Sequence, residues 1–173
     1  PFMEKWLRDK IKENSNNSFY PKLVPNNYQY KPNTFRKFVY KDAVILNADI
    51  SDYVGHYLYF GFQDEGQEQL FNLVKEGDTV LDIGTNIGST LLKMASIVEK
   101  EGIVYGFEPD PFNYENCIKN IQLNNFSNVY VNPIGLGENV GSFDLMVDTE
   151  TNRGGNRITL KETDKKVTKI KVN

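Results

Sequence analysis

The sequence predicts an α/β fold built on a strand, a glycine turn, a helix and a second strand. A short apolar run at 79–81 precedes Gly84 and Gly88, and a second run at 103–107 ends at Glu108, about 20 residues past the last glycine. Between the two runs, apolar residues recur at helical spacing: Ile87, Leu91, Ala95 and Val98. This order is typical of nucleotide-binding βαβ units, so we expect a ligand that carries an adenosine.

The first half of the chain predicts an extension before this unit. Residues 1–34 begin with a helix whose stripe is Met3, Trp6, Leu7, Lys10 and Ile11, and continue as an irregular segment rich in Asn and Pro. Strand-like runs follow at 38–40, 43–46 and 57–60, with a hairpin turn at Lys41 and Asp42. A helix is predicted at 65–75, with Gly77 as its C-cap.

The second half continues the α/β pattern. Asp110 and Pro111 predict the cap and first residue of a helix that runs to Asn124. Strands are predicted at 129–131, 143–147 and 167–172, with a polar loop at 148–156. We therefore divide the chain into an N-terminal extension, 1–34, and an α/β domain, 35–173.

Charge distinguishes between two adenosine ligands. A dinucleotide site requires Gly-x-Gly-x-x-Gly, whereas the glycines here are Gly84 and Gly88. Asp82 would repel a pyrophosphate but tolerate a cation such as S-adenosylmethionine, which has an ammonium, a sulfonium and no phosphate. Glu108 suits the ribose hydroxyls of both ligands. A nucleotide-dependent oxidoreductase remains an alternative.

The motifs resemble those of class I S-adenosylmethionine-dependent methyltransferases, and most of all their FkbM-type branch. The similarity rests on residues 80–88 (VLDIGTNIG), 104–111 (VYGFEPDP), 120–124 (NIQLN) and 135–141 (GLGENVG). The resemblance implies a Rossmann-like methyltransferase fold and S-adenosyl-L-methionine as cofactor. The residues it assigns to cofactor binding, together with those argued above, are Asp82, Gly84, Thr85, Asn86, Gly88, Glu108, Gly135 and Glu65.

The resemblance also predicts the reaction and the extent of the fold. We expect O-methylation of a small-molecule or sugar-containing substrate, with the general base unassigned among Asp49, Asp52, Glu65 and Asp148. The chain stops at 173, where a fourth parallel strand is due, so the fold is expected to be incomplete at its C-terminus. The first strand's free edge would then pair with another chain, giving a homo-oligomer, or with the 38–60 strands. An incomplete, inactive cofactor-binding domain is a further alternative.

Composition excludes several other classes. A net charge of −3 and a pI near 5.3 argue against a nucleic-acid-binding face. With no apolar run of about 18 residues and no secretory signal, we expect no membrane association and a cytoplasmic location. His56, the single histidine, lies among tyrosines and is assigned to packing, which leaves no multi-histidine metal site. Cys117 is assigned to the core.

Individually, the site residues also have simple structural explanations. Asp82 could cap the glycine turn, Asn86 could be a turn residue at positive φ, and Glu108 could be a solvated strand end. Gly84 and Gly88 could serve tight turns and helix packing. The prediction depends on their occurring together.

Overall fold

The computed structural model describes residues 2–14, 19–62, 64–147, 151–159 and 167–173. The helices are α1 (Phe2–Glu13), α2 (Tyr53–Phe60), α3 (Glu65–Leu73), α4 (Ser89–Val98) and α5 (Pro111–Gln122). The strands are β1 (Phe35–Tyr40), β2 (Val44–Asp49), β3 (Thr79–Ile83), β4 (Ile103–Phe107), β5 (Val129–Asn132), β6 (Gly141–Met146), β7 (Arg157–Thr159) and β8 (Val167–Val172).

The predicted βαβ pattern forms a three-stranded parallel sheet in the order β3-β4-β5. Val80 lies opposite Val104, which lies opposite Val129. Of the predicted stripe, Leu91, Ala95 and Val98 are buried on α4 and pack with Val104 and Cys117 in one apolar cluster. Ile87 is also buried, but it precedes α4 and belongs to another apolar cluster. The Rossmann-like α/β prediction and the core assignment of Cys117 are confirmed.

The hairpin is confirmed as an antiparallel pair of β1 and β2. Tyr40 lies opposite Val44, so three residues connect the strands. Lys41 and Asp42 have φ angles of 45° and 52° in this connection, and the Ala43 N–H donates to the Tyr40 carbonyl across them. The hairpin packs over α4 and α5, and its apolar side chains share a second cluster with Leu7 and Ile11 of α1. Of the predicted α1 stripe, Met3 and Trp6 are exposed.

Two asparagines of α5 hold the outer edge of β2. The Asn124 side chain accepts the Ile45 N–H at 2.9 Å and donates to the Ile45 carbonyl at 2.8 Å. One turn earlier, Asn120 accepts the Asn47 N–H at 2.8 Å and donates to the Ile87 carbonyl at 2.9 Å. These side-chain amides replace a neighbouring strand and join the hairpin to the parallel-sheet unit.

The predicted strand at 57–60 is wrong, because these residues form the second half of α2. Asp52 caps this helix by accepting the Val54 N–H, and Gly61 ends it at a φ of 72°. The aromatic run has high β propensity, but tertiary burial overrides that preference. Five of its eight residues are buried: Gly55, His56, Leu58, Tyr59 and Phe60.

His56 packs within this helix as predicted. Its ring lies 4.9 Å from that of Phe60 and 5.9 Å from that of Phe62, measured between centroids. Its Nε2 atom is 2.8 Å from the Pro25 carbonyl oxygen. Burial lowers the pKa of His56, which favours the neutral ring.

The end of α3 also differs from prediction. The helix stops at Leu73 with Val74 as its C-cap, so Gly77 does not cap it. Gly77 instead adopts a φ of 81° in the turn before β3, where its N–H donates to the Val98 carbonyl. The sequence correctly predicts a left-handed backbone at Gly77. It places that turn at the end of α3 instead of directly before β3.

The outer edge of β3 does not pair with the hairpin. In the described part of the chain β3 pairs with β4 alone, so pairing with the 38–60 strands is wrong. Leu81 and Ile83 are 59% and 65% exposed on the sheet face opposite α4 and α5. Pairing with another chain stays a prediction.

The remaining strands form a small antiparallel sheet in the order β7-β6-β8. Within β8, Ile170 and Val172 are buried while Lys169 and Lys171 are exposed, as the alternation predicts. None of the helices in the described ranges has the length and apolar character that a membrane crossing requires.

Candidate functional site

The turn between β3 and α4 has three residues in the left-handed backbone region. Gly84, Asn86 and Gly88 have φ angles of 83°, 53° and 89°. A Cβ at Gly88 would lie 2.8 Å from the Cys117 Sγ, so this glycine lets α5 approach the turn. A Cβ at Gly84 would meet no atom of the described residues within 4 Å. The turn is therefore packed at Gly88 and open at Gly84.

Thr85 fixes the turn from inside the protein. Its buried Oγ1 accepts the Phe107 N–H at 3.0 Å and donates to the Asp82 carbonyl at 2.9 Å. The Gly84 and Thr85 N–H groups both donate to the Phe107 carbonyl. These bonds join the end of β3 to the end of β4. The Thr85 hydroxyl thus has an architectural role, and its contribution to cofactor binding stays a prediction.

Glu108 lies at the end of β4 and is only 6% exposed. One oxygen, Oε2, accepts the Asn86 N–H at 2.7 Å, and Oε1 accepts the Asp110 N–H at 2.9 Å. Burial raises its pKa, while the two backbone bonds oppose that rise. The sequence pointed to a ligand-binding acid, but the carboxylate also clamps the glycine turn to the start of α5.

Asp82 lies at the end of β3 with its side chain on the same sheet face as α4. Its Oδ2 atom is buried and has no hydrogen-bond partner within the described residues. Burial raises the pKa of Asp82 from 3.8 to about 6, against smaller opposing effects of Thr85 and the Leu91 backbone. A buried, unpartnered carboxylate oxygen is costly, so a bound donor or cation would relieve it.

Gly135 and Glu65, which were also predicted to bind the cofactor, lie outside the glycine turn. A Cβ at Gly135 would lie 3.7 Å from Pro109, the residue after Glu108, and its N–H and carbonyl bond to residues 171 and 173. Glu65 is exposed in the first turn of α3. In that turn it is Gln67 that reaches α4, with its amide 3.4 Å from the Thr90 hydroxyl.

Arg153 is a site residue that sequence reasoning missed. Its guanidinium donates to Asp110 Oδ2 at 3.1 Å and lies 4.2 Å from the centre of the Phe112 ring. Its backbone N–H donates to Asp52 Oδ2 at 2.8 Å. Arg153 thus joins the capping aspartates of α2 and α5. The polar loop was predicted, but no local pattern predicts which helices it contacts.

The candidate general bases are dispersed. Asp49 and Asp52 line one cavity of about 290 Å³ beside Arg153. Burial raises the pKa of Asp52, which backbone bonds from Arg153 and Val54 oppose. Glu65 lies at α3, and Asp148 lies outside the described residues. Of the four candidate acids, Asp49 and Asp52 share one cavity, and the assignment of a general base stays a prediction.

A family model for the methyltransferase FkbM domain matches residues 82–173, more than half of the chain. No curated protein sequence matches.

Parts of several solved structures are similar to this chain. A presumed rRNA methylase from Clostridium thermocellum is 28% identical over 41% of this chain and 39% of its own length, with a TM-score of 0.37. A SAM-dependent methyltransferase from Aquifex aeolicus is 28% identical over 36% of this chain and 35% of its own length, with a TM-score of 0.34. For M. jannaschii TYW2 in complex with AdoMet the identity is 21%, over 59% of this chain and 44% of its own length, with a TM-score of 0.45. The chain thus spans less than half the length of each of these proteins.

Proposed function

The chain belongs to the FkbM methyltransferase domain family, and we propose that it binds S-adenosylmethionine at the glycine turn for transfer of the methyl group to an acceptor hydroxyl. The observation that carries this proposal is the Oδ2 atom of Asp82, which is buried beside a glycine turn open at Gly84 and has no partner among the residues that the structure describes. An anionic, partly dry turn suits a cationic ligand better than a pyrophosphate.

The residues present fit this cofactor. Asp82 would balance positive charge, and the absence of a Cβ at Gly84 leaves room for close approach of a ligand. Besides the two backbone N–H groups, the Asn113 side chain hydrogen-bonds to the Glu108 carboxylate, whose remaining lone pair could accept a ribose hydroxyl. Asn86 and Thr85 would hold the turn in shape, and Gly135 would line the neighbouring edge.

Positioning would supply most of the catalysis. S-adenosylmethionine brings a methyl group already activated by its cationic sulfur, so the protein's main task is to align the acceptor. Glu108 and Thr85 keep the ends of β3 and β4 in a fixed relation, which limits reorganisation on binding. We assign no general base.

We propose a small-molecule or sugar-containing acceptor. The expected exclusion of nucleic acid has no support from the comparisons, since one matched structure is a presumed rRNA methylase. An RNA ligand is therefore included as a test below. Homo-oligomerisation through β3 and a cytoplasmic location stay predictions.

Calorimetry with S-adenosylhomocysteine and NAD in parallel tests the cofactor. We expect S-adenosylhomocysteine to bind and NAD not to bind. Gly84→Val should abolish that binding. Gly77→Val is the matched control, because Gly77 has a φ of 81° and equally open space around its Cβ position, at the opposite end of β3.

Circular dichroism of both variants separates loss of binding from loss of fold. Unchanged S-adenosylhomocysteine affinity in a folded Gly84→Val variant would place the ligand elsewhere. NAD binding in the wild type would favour the oxidoreductase alternative.

A further inference from the structure

The cavity of about 290 Å³ that Asp49 and Asp52 share lies between the N-terminal segment, the start of α2 and the loop at Arg153; we name it the Arg153 cavity. It includes three aromatic rings and three charged side chains: Tyr28, Tyr30, Phe112, Asp49, Asp52 and Arg153. Its volume is at the lower end of the range of about 300–1,000 Å³ for small-molecule sites, so it suits one ring-sized unit.

The aromatic part of the cavity offers a flat apolar surface. Tyr28 is 68% exposed although its hydroxyl accepts a hydrogen bond from the Asn26 amide. The Phe112 ring makes a cation–π contact with the Arg153 guanidinium. A pyranose has an apolar C–H face that packs on such rings and hydroxyl groups around its rim.

The charged side chains retain hydrogen-bonding capacity. Oδ2 of Asp49 accepts the Asn33 N–H at 3.0 Å, and Oδ2 of Asp52 accepts the Arg153 N–H at 2.8 Å. Each oxygen has a second lone pair, and the Arg153 guanidinium has further N–H donors besides the one directed at Asp110. Hydroxyl groups, which both donate and accept, match this mixed set.

The balance of charge limits the ligand class. Arg153 is already paired with Asp110, whereas Asp49 and Asp52 both contribute negative charge to the cavity. A neutral or amino-bearing sugar fits this balance. An anionic sugar or an RNA phosphate would meet two carboxylates.

The loop that contains Arg153 and Gly154 connects the Arg153 cavity with the glycine turn. Asp110, which Arg153 binds, donates its backbone N–H to Glu108. A Cβ at Gly154 would lie 3.9 Å from the Asn86 amide nitrogen, so the same loop lies against the glycine turn. We propose that the Arg153 cavity binds a neutral or amino-bearing pyranose unit of the methyl acceptor; this proposal rests on the proposed function above.

Saturation-transfer NMR tests the cavity with three probes: methyl α-D-glucopyranoside, D-glucosamine and D-glucuronate. We expect signals from the first two and a severalfold weaker signal from glucuronate. Tyr28→Ala should reduce the sugar signal at least fivefold. Tyr130→Ala is the matched control, since Tyr130 is a tyrosine of similar exposure, 52%, on the parallel sheet. Arg153→Lys, which keeps the charge but loses the planar donor set, should also weaken the signal.

Calorimetry with S-adenosylhomocysteine on the same samples separates the two proposals. Cofactor binding without a sugar signal, or an equal sugar signal in Tyr28→Ala, overturns the cavity proposal and leaves the proposed function standing. A Tyr28-dependent sugar signal without cofactor binding supports sugar binding in the cavity but overturns the proposed function, and with it the assignment of the sugar to a methyl acceptor. A signal from a uridine hexanucleotide in place of the sugars overturns the cavity proposal in favour of RNA.

Discussion

At the end of β4, both oxygens of Glu108 accept backbone N–H groups, whereas at the end of β3 the Oδ2 atom of Asp82 has no partner within the described residues. Both carboxylates are mostly buried, and burial raises the pKa of each. Their difference separates two roles at one site. Glu108 stabilises the glycine turn and can still accept a hydrogen bond from a ligand. The Oδ2 atom of Asp82 is available to pair with a bound donor or cation.

This comparison predicts that the two acids respond differently to substitution. Loss of Glu108 should cost stability and binding together. Loss of the Asp82 charge should leave the fold intact and change how ligands of different charge bind.

The largest expected effect is that of Glu108→Ala on stability. Two backbone N–H groups, those of Asn86 and Asp110, would lose their acceptor, and each unsatisfied group costs about 1–3 kcal/mol. We expect the free energy of unfolding to fall by about 2–6 kcal/mol in urea titrations. Glu101→Ala, at an exposed acid, is the control and should change little. Equal free energies of unfolding for the two variants would contradict the role of Glu108 in holding the glycine turn to the start of α5.

A smaller effect is expected for Asp82 and pH. The folded state holds this proton more tightly than the unfolded chain, since its pKa is raised from 3.8 to about 6. The unfolding free energy of the wild type should therefore fall as pH rises from about 4 to 6, and this contribution should be constant above that window. Two pKa units correspond to on the order of 3 kcal/mol.

Asp82→Asn removes this titration, so the pH dependence is read as the difference between variant and wild type. The variant should gain relative stability from pH 4 to 6 in parallel urea titrations. Other groups, including Glu108 and Asp52, titrate in both proteins and cancel in the difference. A difference that does not change with pH would mean that Asp82 titrates near its ordinary pKa.

The smallest effect concerns ligand charge. Asp82→Asn should weaken the binding of S-adenosylmethionine, which has a sulfonium and an ammonium, more than the binding of adenosine, which has neither. A carboxylate several ångströms from a cation in a partly screened site contributes on the order of 1 kcal/mol, which is a severalfold difference that decreases with salt. Calorimetry with both ligands at two salt concentrations measures it. An equal loss of affinity for the two ligands would contradict an electrostatic interaction between Asp82 and the cationic ligand.

Local sequence signals predicted one of the two aspartate-capped helices that Arg153 connects. Asp110 followed by Pro111 identified α5, because a capping acid and a proline in the first turn both act locally. Asp52 caps α2 in the structure, but the aromatic run after it led to the prediction of a strand. An apolar run buried nearly all round has no periodicity that distinguishes helix from strand.

The site residues, like the helices, are predicted only where their sequence signals are local. The glycine turn, Asp82 and Glu108 belong to one short βαβ unit, so spacing alone brought them together. Arg153 reaches Asp52 across about a hundred residues of chain, through a contact set by tertiary packing. Neither this link nor the second role of Glu108 has a local sequence signal.

The asparagine pair on α5 has a consequence for aggregation. Exposed strand edges recruit strands from other molecules, and proteins commonly block them with charge, proline or a covering element. Here the side chains of Asn120 and Asn124 occupy the N–H and carbonyl groups on the outer edge of β2. An aspartate at 124 could accept the Ile45 N–H but could not donate to its carbonyl. Deamidation at this position would therefore free one acceptor of the β2 edge for intermolecular pairing.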